Sequence, residues 1–175
     1  MGSITATQLL RDDHKVAKGL IIQSETTETR APEMRRGVIR ELLMLLEIHS
    51  QLEEEFFYPE LEKYPETAAL AVVSVEDHEQ IKTLIKDLRH MNPITAEFED
   101  QLQELMSFTS FHIETEEQSL FPLAEKLLGP RLEELGRQMY SRKAELMKSP
   151  EYRDAQPGLV QDPHGGEQMR KPFSA

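Results

Sequence analysis

The chain has 175 residues, enough for one domain with a real core, and it contains no cysteine, which excludes disulfides, thiolate zinc, iron–sulfur clusters and thiol redox chemistry. A formal net charge of −12 argues against nucleic acid or an anionic membrane as the main partner, because binding phosphate needs a basic face. No basic-then-apolar leader and no apolar run approaching the roughly 20 residues of a membrane span is visible, so the expectation is a cytoplasmic protein without a membrane partner.

Apolar residues recur at helical spacing almost throughout, and no stretch alternates as a strand does. The spacing predicts a first helix from about Thr7 to Gln23, with Leu10, His14, Ala17 and Ile21 on one stripe. A second opens at Pro32, a good first-turn residue, and places Leu42, Leu46, His49, Glu53 and Phe56 along its buried face. The third starts after Pro65 and presents Ala71, Ser74, His78, Ile81, Ile85 and Leu88. The fourth follows Asn92-Pro93, presents Leu102, Leu105, Thr109, His112, Glu116, Ser119 and Leu123, and stops at Gly129-Pro130. Four long helices with short connections predict an all-α, up-down-up-down four-helix bundle. Leu132, Leu135, Met139 and Leu146 predict a short fifth helix that caps or flanks it, completing a domain over residues 1–148. Residues 149–175, rich in Pro, Gly and charge, read as an irregular tail.

Two stretches are near copies: His49-Ser-Gln-Leu-Glu53-Glu54 running through Tyr58-Pro59, and His112-Ile-Glu-Thr-Glu116-Glu117 running through Phe121-Pro122. Upstream, Arg11-Asp12-Asp13-His14 with Lys18 matches Val75-Glu76-Asp77-His78 with Lys82. A His and a Glu four residues apart share one helix face, one turn apart. One histidine on an apolar stripe is more often a packed core residue than a ligand. Four of them on four helices, beside two buried carboxylates, would make an unstable core without a cation to neutralise it. The geometry suggests a dinuclear site in which His14 and His49 take one metal, His78 and His112 the other, and Glu53 and Glu116 bridge. Carboxylate and imidazole ligands suit iron, manganese or zinc, with redox-active iron preferred. A ferritin-like site uses Glu-x-x-His and a carboxylate-rich shell, whereas here the order is His-x-x-x-Glu and histidine dominates.

His14, His49-x-x-x-Glu53, His78 and His112-x-x-x-Glu116, with the flanks Phe57-Tyr58-Pro59 and Leu120-Phe121-Pro122, resemble the hemerythrin-like family of HHE cation-binding domains over roughly residues 7 to 128. The resemblance implies a four-helix bundle around two Fe ions with a bridging oxo or hydroxo group, Mn or Zn being able to substitute, that handles O2 or related small oxidants. The oxygen carriers of that family have a second histidine on the third helix, where this chain has Ser74. That departure implies an open position on both metals, and it favours reaction with peroxide or O2 over reversible carriage.

Glu54 and Glu117, one residue past the bridging carboxylates, are expected to face solvent or pair with Lys or Arg, an extra ligand or a hydrogen-bonding base being the alternative. Tyr58, nine positions after His49, lies nearly opposite the ligand face of a straight helix, and only a kink at Pro59 would turn it inward as a phenolate ligand or hydrogen-bond donor. His90 is expected to interact with a helix C-terminus, His164 to be solvated, Lys18 and Lys82 to snorkel, and Met34, Met44 and Met106 to fill core. Three functions remain open. One is peroxide decomposition of the catalase type, or O2 or NO reduction. The second is O2 carriage, storage or sensing, and the third is iron homeostasis. The partners implied are a diatomic or peroxide ligand and an unidentified electron donor, in a monomer or homodimer.

Overall fold

The computed structural model describes residues 4–27 and 32–150. The irregular tail expected over 149–175 lies outside the described residues from 151 onward, as does His164. Helix α1 (Ala6–Thr26) begins where the Thr5 hydroxyl accepts the Gln8 N–H at 3.2 Å. Helix α2 (Pro32–Leu52) runs through a first π-helical turn (Glu53–Phe57) into the short α3 (Tyr58–Leu61). Helix α4 (Pro65–His90) starts on proline, and α5 (Ala96–Thr115) starts where the Thr95 hydroxyl accepts the Phe98 N–H at 3.2 Å. Helix α5 continues through a second π turn (Glu116–Leu120) into α6 (Phe121–Leu128), which Gly129 ends at a φ of 45°. Helix α7 (Arg131–Leu146) is the predicted fifth helix, packed mainly on α1.

All described elements are helical, and the fold is the expected four-helix bundle with a fifth helix against it. Helix α1 pairs with α2 and α4 with α5. Among the described residues no helix is long and apolar enough to cross a membrane. A layer of polar residues divides the core in two. On one side lie Leu10, Leu52, Phe57, Leu61, Phe121 and Leu135, on the other Ala17, Leu46, Ile81, Ile85, Leu102 and Leu105. Each of the four long helices, α1, α2, α4 and α5, meets that layer at one histidine: His14 falls between Leu10 and Ala17, for example, and His78 between Ala71 and Ile81.

The π turns correct the predicted register beyond each Glu. Phe56 is only partly buried, and Phe57 and Tyr58 fill the core instead. In the second half Ser119 is exposed and Leu123 is only half-buried, while Leu120, Phe121 and Ala124 are buried. The cause is the proline in each copy. Pro59 and Pro122 have no N–H and would collide with the carbonyl four residues back, so the preceding turn widens. The Tyr58 N–H then reaches the Glu53 carbonyl and the Phe121 N–H the Glu116 carbonyl, each five residues back. Met34 is a second correction: it is exposed, whereas Met44 and Met106 are in the core.

Helix α7 seats on the first turn of α1 through Gly136. A Cβ there would stand 2.2 Å from the Ile4 carbonyl oxygen and 2.8 Å from the Thr5 carbonyl carbon, both backbone atoms that cannot rotate away. Gly136→Ala is therefore expected to lower unfolding stability by about 1–3 kcal/mol. Urea denaturation checks this, and an unchanged midpoint would show that α7 shifts freely.

Candidate metal centre

The six residues singled out by the repeats are all buried and meet in the polar layer. His14 Nε2 lies 3.1 Å from His49 Nε2, and His78 Nε2 lies 3.1 Å from His112 Nε2. Glu53 Oε2 stands between the pairs, 3.1 Å from His49 Nε2 and 3.3 Å from His78 Nε2. Glu116 Oε2 is 3.3 Å from His14 Nε2 and 3.5 Å from His112 Nε2. Ligand atoms of His14, His49, Glu53 and Glu116 fall within 4.8 Å of one another, as do those of Glu53, His78 and His112. Glu53 thus belongs to both groups.

Tyr58 joins them. Because the π turn absorbs one residue, Tyr58 stands one wide turn above Glu53 rather than on the far side of the helix. Its hydroxyl is 2.7 Å from Glu116 Oε1, 3.1 Å from Glu53 Oε2 and 3.2 Å from His78 Nε2. The equivalent Phe121 has no polar atom and instead stacks on the His14 ring, 5.4 Å between centroids and 7° between planes, with the Arg11 guanidinium 5.0 Å from the ring centre. One half of the site is therefore hydroxylated and the other capped by aromatic carbon. In the metal-free protein, Tyr58→Phe leaves Glu116 Oε1 buried without that donor, and a loss of about 1–3 kcal/mol in urea denaturation is expected. An unchanged midpoint would mean that the hydroxyl is not part of the buried network.

All four histidines turn the other ring nitrogen to a carboxylate. His14 Nδ1 faces Glu117 at 3.1 Å and His78 Nδ1 faces Glu54 at 2.9 Å. His112 Nδ1 faces Asp77 at 3.2 Å, and His49 Nδ1 faces Asp13 at 3.7 Å. A carboxylate at Nδ1 favours a proton there, so that Nε2, aimed into the site, is the nitrogen whose lone pair a cation would take in displacing any proton it carries. Glu54 and Glu117 therefore take the hydrogen-bonding alternative, and each also holds a lysine: Lys82 at 2.7 Å and Lys18 at 2.9 Å. Asp13 and Asp77 had no role in the sequence reading. Their signal was present, since an acid precedes the histidine in both copies and points about 100° from it, toward the paired helix. The halves differ here too. Asp13 is sealed beneath α7 and bonded to Lys143, a residue outside the repeat. His90 binds the Lys86 carbonyl at 2.7 Å, as expected of a residue at a helix C-terminus.

Burial sets the charges. Burial raises the Glu116 carboxyl, and the adjacent Glu53 charge raises it further, to about 7. Burial likewise opposes ionisation of Glu53, but the His49 and His78 imidazoles hold it well below the usual carboxylate range. The reciprocal effect brings His49 to about 10 and His78 to about 9, with burial opposing in both cases. His14 is pushed down to about 4 by burial and by the neighbouring His49 charge. Without a cation, then, Glu116 is pushed toward its neutral form beside the charged Glu53. Glu53 Oε1 and Glu116 Oε2 still have no hydrogen-bond partner. Two buried carboxylate oxygens without donors, facing four imidazole nitrogens, fit divalent or trivalent cations of the iron, manganese or zinc type.

A family model described as the Hemerythrin HHE cation-binding domain matches residues 5–124. A solved structure, a hemerythrin HHE cation-binding domain-containing protein from Mycobacterium kansasii, is 25% identical with a TM-score of 0.72, over 87% of this chain and 97% of that one. A curated protein described as a DNA nickase, from Nostoc sp., is 24% identical over 116 residues, which is 65% of this chain and 31% of that protein. The chain therefore spans about a third of that relative's length.

Proposed function

Because the chain belongs to the hemerythrin HHE cation-binding domain family, we propose that its His/Glu layer holds a pair of iron ions and that the loaded protein reacts with O2 or hydrogen peroxide. His14 and His49 would hold one ion and His78 and His112 the other, with Glu53 and Glu116 shared, and Mn or Zn could substitute for iron. Bound iron would supply the redox chemistry that no side chain of the site provides. The observation that carries this reading is the placement of Glu53 Oε2 within 3.3 Å of a histidine nitrogen from each pair.

The chain's own residues do the rest. Carboxylates hydrogen-bonded at Nδ1 hold the rings of His14, His78 and His112, and Asp13 lies 3.7 Å from that of His49. Tyr58 offers a hydroxyl to both carboxylates and to His78, as a hydrogen-bond donor or, once ionised, as a further oxygen ligand. Ser74 is buried in the polar layer, where it brings no imidazole, so the third helix contributes one histidine rather than two. A less crowded set of nitrogen ligands supports reaction with the oxidant over its protected storage. The DNA nickase relative suggests no such activity here, because a chain of net charge −12 repels a polyanion.

The test is metal content and the ultraviolet–visible spectrum of the purified protein, before and after anaerobic reduction and exposure to O2 or hydrogen peroxide. About two irons per chain and turnover of peroxide are the expected results. A long-lived coloured adduct with O2 would replace the enzyme reading with a carrier. A protein that stays folded and takes up no iron would sink both.

A further inference from the structure

Away from the histidine layer, a cavity of about 410 Å³ opens between α2, the last turn of α4 and the first turn of α5. Its floor is core: Ile39, Leu43, Leu88 and Phe98 line it, and none of them is more than 5% exposed. A concave, mostly apolar space of this size with a few polar groups around it is what small-molecule sites are made of.

The polar groups around it all carry one sign. Arg36, Arg40 and Arg89 line the cavity, and among the described residues no acid does. That runs against a chain with 32 Asp and Glu to 20 Lys and Arg. Arg36 and Arg40 lie one turn apart on the same face of α2, and like charges at that spacing weaken a helix until an anion answers them. Arg36 bonds Glu33 at 2.8 Å, and Arg89 bonds Glu47 at 2.6 Å while lying 3.0 Å from the Sδ of Met44, another lining residue. Both ion pairs face solvent, where such pairs contribute little and yield to a better acceptor. Arg40 is exposed and bonds no described acid.

An inorganic anion would answer the arginines and leave the floor uncovered, and a hydrocarbon would do the reverse. A guanidinium offers a planar fork of donors that matches the two oxygens of a carboxylate. We propose that this cavity binds a medium-chain alkyl carboxylate, the chain lying against Leu43, Leu88 and Phe98 and the head group held by Arg40 with Arg36 and Arg89 beside it. No residue of the histidine layer takes part, so the site is expected in metal-free and metal-loaded protein alike.

Decanoate is the probe, titrated into the full chain by isothermal calorimetry. Octanoate should bind about fifteenfold more weakly, as two fewer buried methylenes require, and uncharged decanol about tenfold more weakly, as loss of a charge-assisted hydrogen bond requires. Arg40→Gln should lower decanoate affinity about tenfold without loss of helical content. Arg137→Gln, which removes the same charge from an exposed position on α7, should leave it unchanged. The methyl NMR signals of Met44 and Met91, which line the cavity, should move during the titration, while that of Met139, buried in the other half of the core, stays still. No binding of decanoate by the wild-type protein at millimolar concentration overturns the proposal. So does equal decanoate affinity of Arg40→Gln and wild type, an equal loss in both arginine variants, or decanol bound as tightly as decanoate. Retention on phosphatidylglycerol vesicles without binding of free decanoate would make these arginines a membrane contact and overturn it as well.

Discussion

Glu53→Ala is expected to lower metal content from about two ions per chain to well under one, a larger loss than removing any single histidine. Glu53 is fully buried and one of its oxygens approaches both histidine pairs, so its loss removes a ligand from each. His112→Ala removes one nitrogen from one pair, and about one ion per chain should remain. His90→Ala touches only a backbone carbonyl and should leave the content unchanged. Elemental analysis of the three variants, each checked for helical content, decides the matter. Equal metal in Glu53→Ala and wild type would mean that the shared carboxylate is not a ligand.

Stripping the metal should cost the protein roughly 8–16 °C in melting temperature. The figure follows from linkage: an ion present at about a thousand times its Kd stabilises the folded state by about 4 kcal/mol, and for a chain of this size each kcal/mol is about 2–4 °C. The physical source lies in the layer itself. In the metal-free state Glu116 is driven toward its neutral form, His14 is held neutral, and two carboxylate oxygens lie buried with no donor. A cation between them relieves all of these at once. Differential scanning calorimetry before and after chelation measures the shift, and Glu53→Ala should show little of it. Identical melting with and without metal would mean that the imidazoles alone satisfy the buried carboxylates.

These expectations rest on features of unequal visibility. The six residues of the layer were legible because helical periodicity alone puts His49 with Glu53, and His112 with Glu116, on one face and on the apolar stripe. Duplication made the inference stronger than any single motif could. The pairing of helices followed from short connections, and it sets His14 beside His49 and His78 beside His112.

The phenol of Tyr58 was not placed so readily. Counting residues at 100° each puts it opposite His49, and only the widening of the turn before Pro59 reverses that answer. The same widening moved Phe56 off the core face and put Phe57 on it. The clue was a proline at the same place in both copies, but a proline states that a helix is disturbed without stating how. Asp13 and Asp77 were equally visible as letters and silent as to role, because each acts on a histidine 35 or 36 positions away on the next helix.

The sequence by itself determined that this is a cysteine-free helical bundle with four histidines and two glutamates on its inner stripes, since those facts follow from composition and from the period of a helix. Tertiary structure alone decided what surrounds them. It brought Tyr58 to one end and stacked Phe121 at the other, set a carboxylate behind every histidine, and sealed Asp13 beneath α7 through Lys143. The reason is that a repeat in sequence specifies two equal halves, whereas contacts between helices distant in the chain, and a fifth helix packed mainly on the first half, make them different.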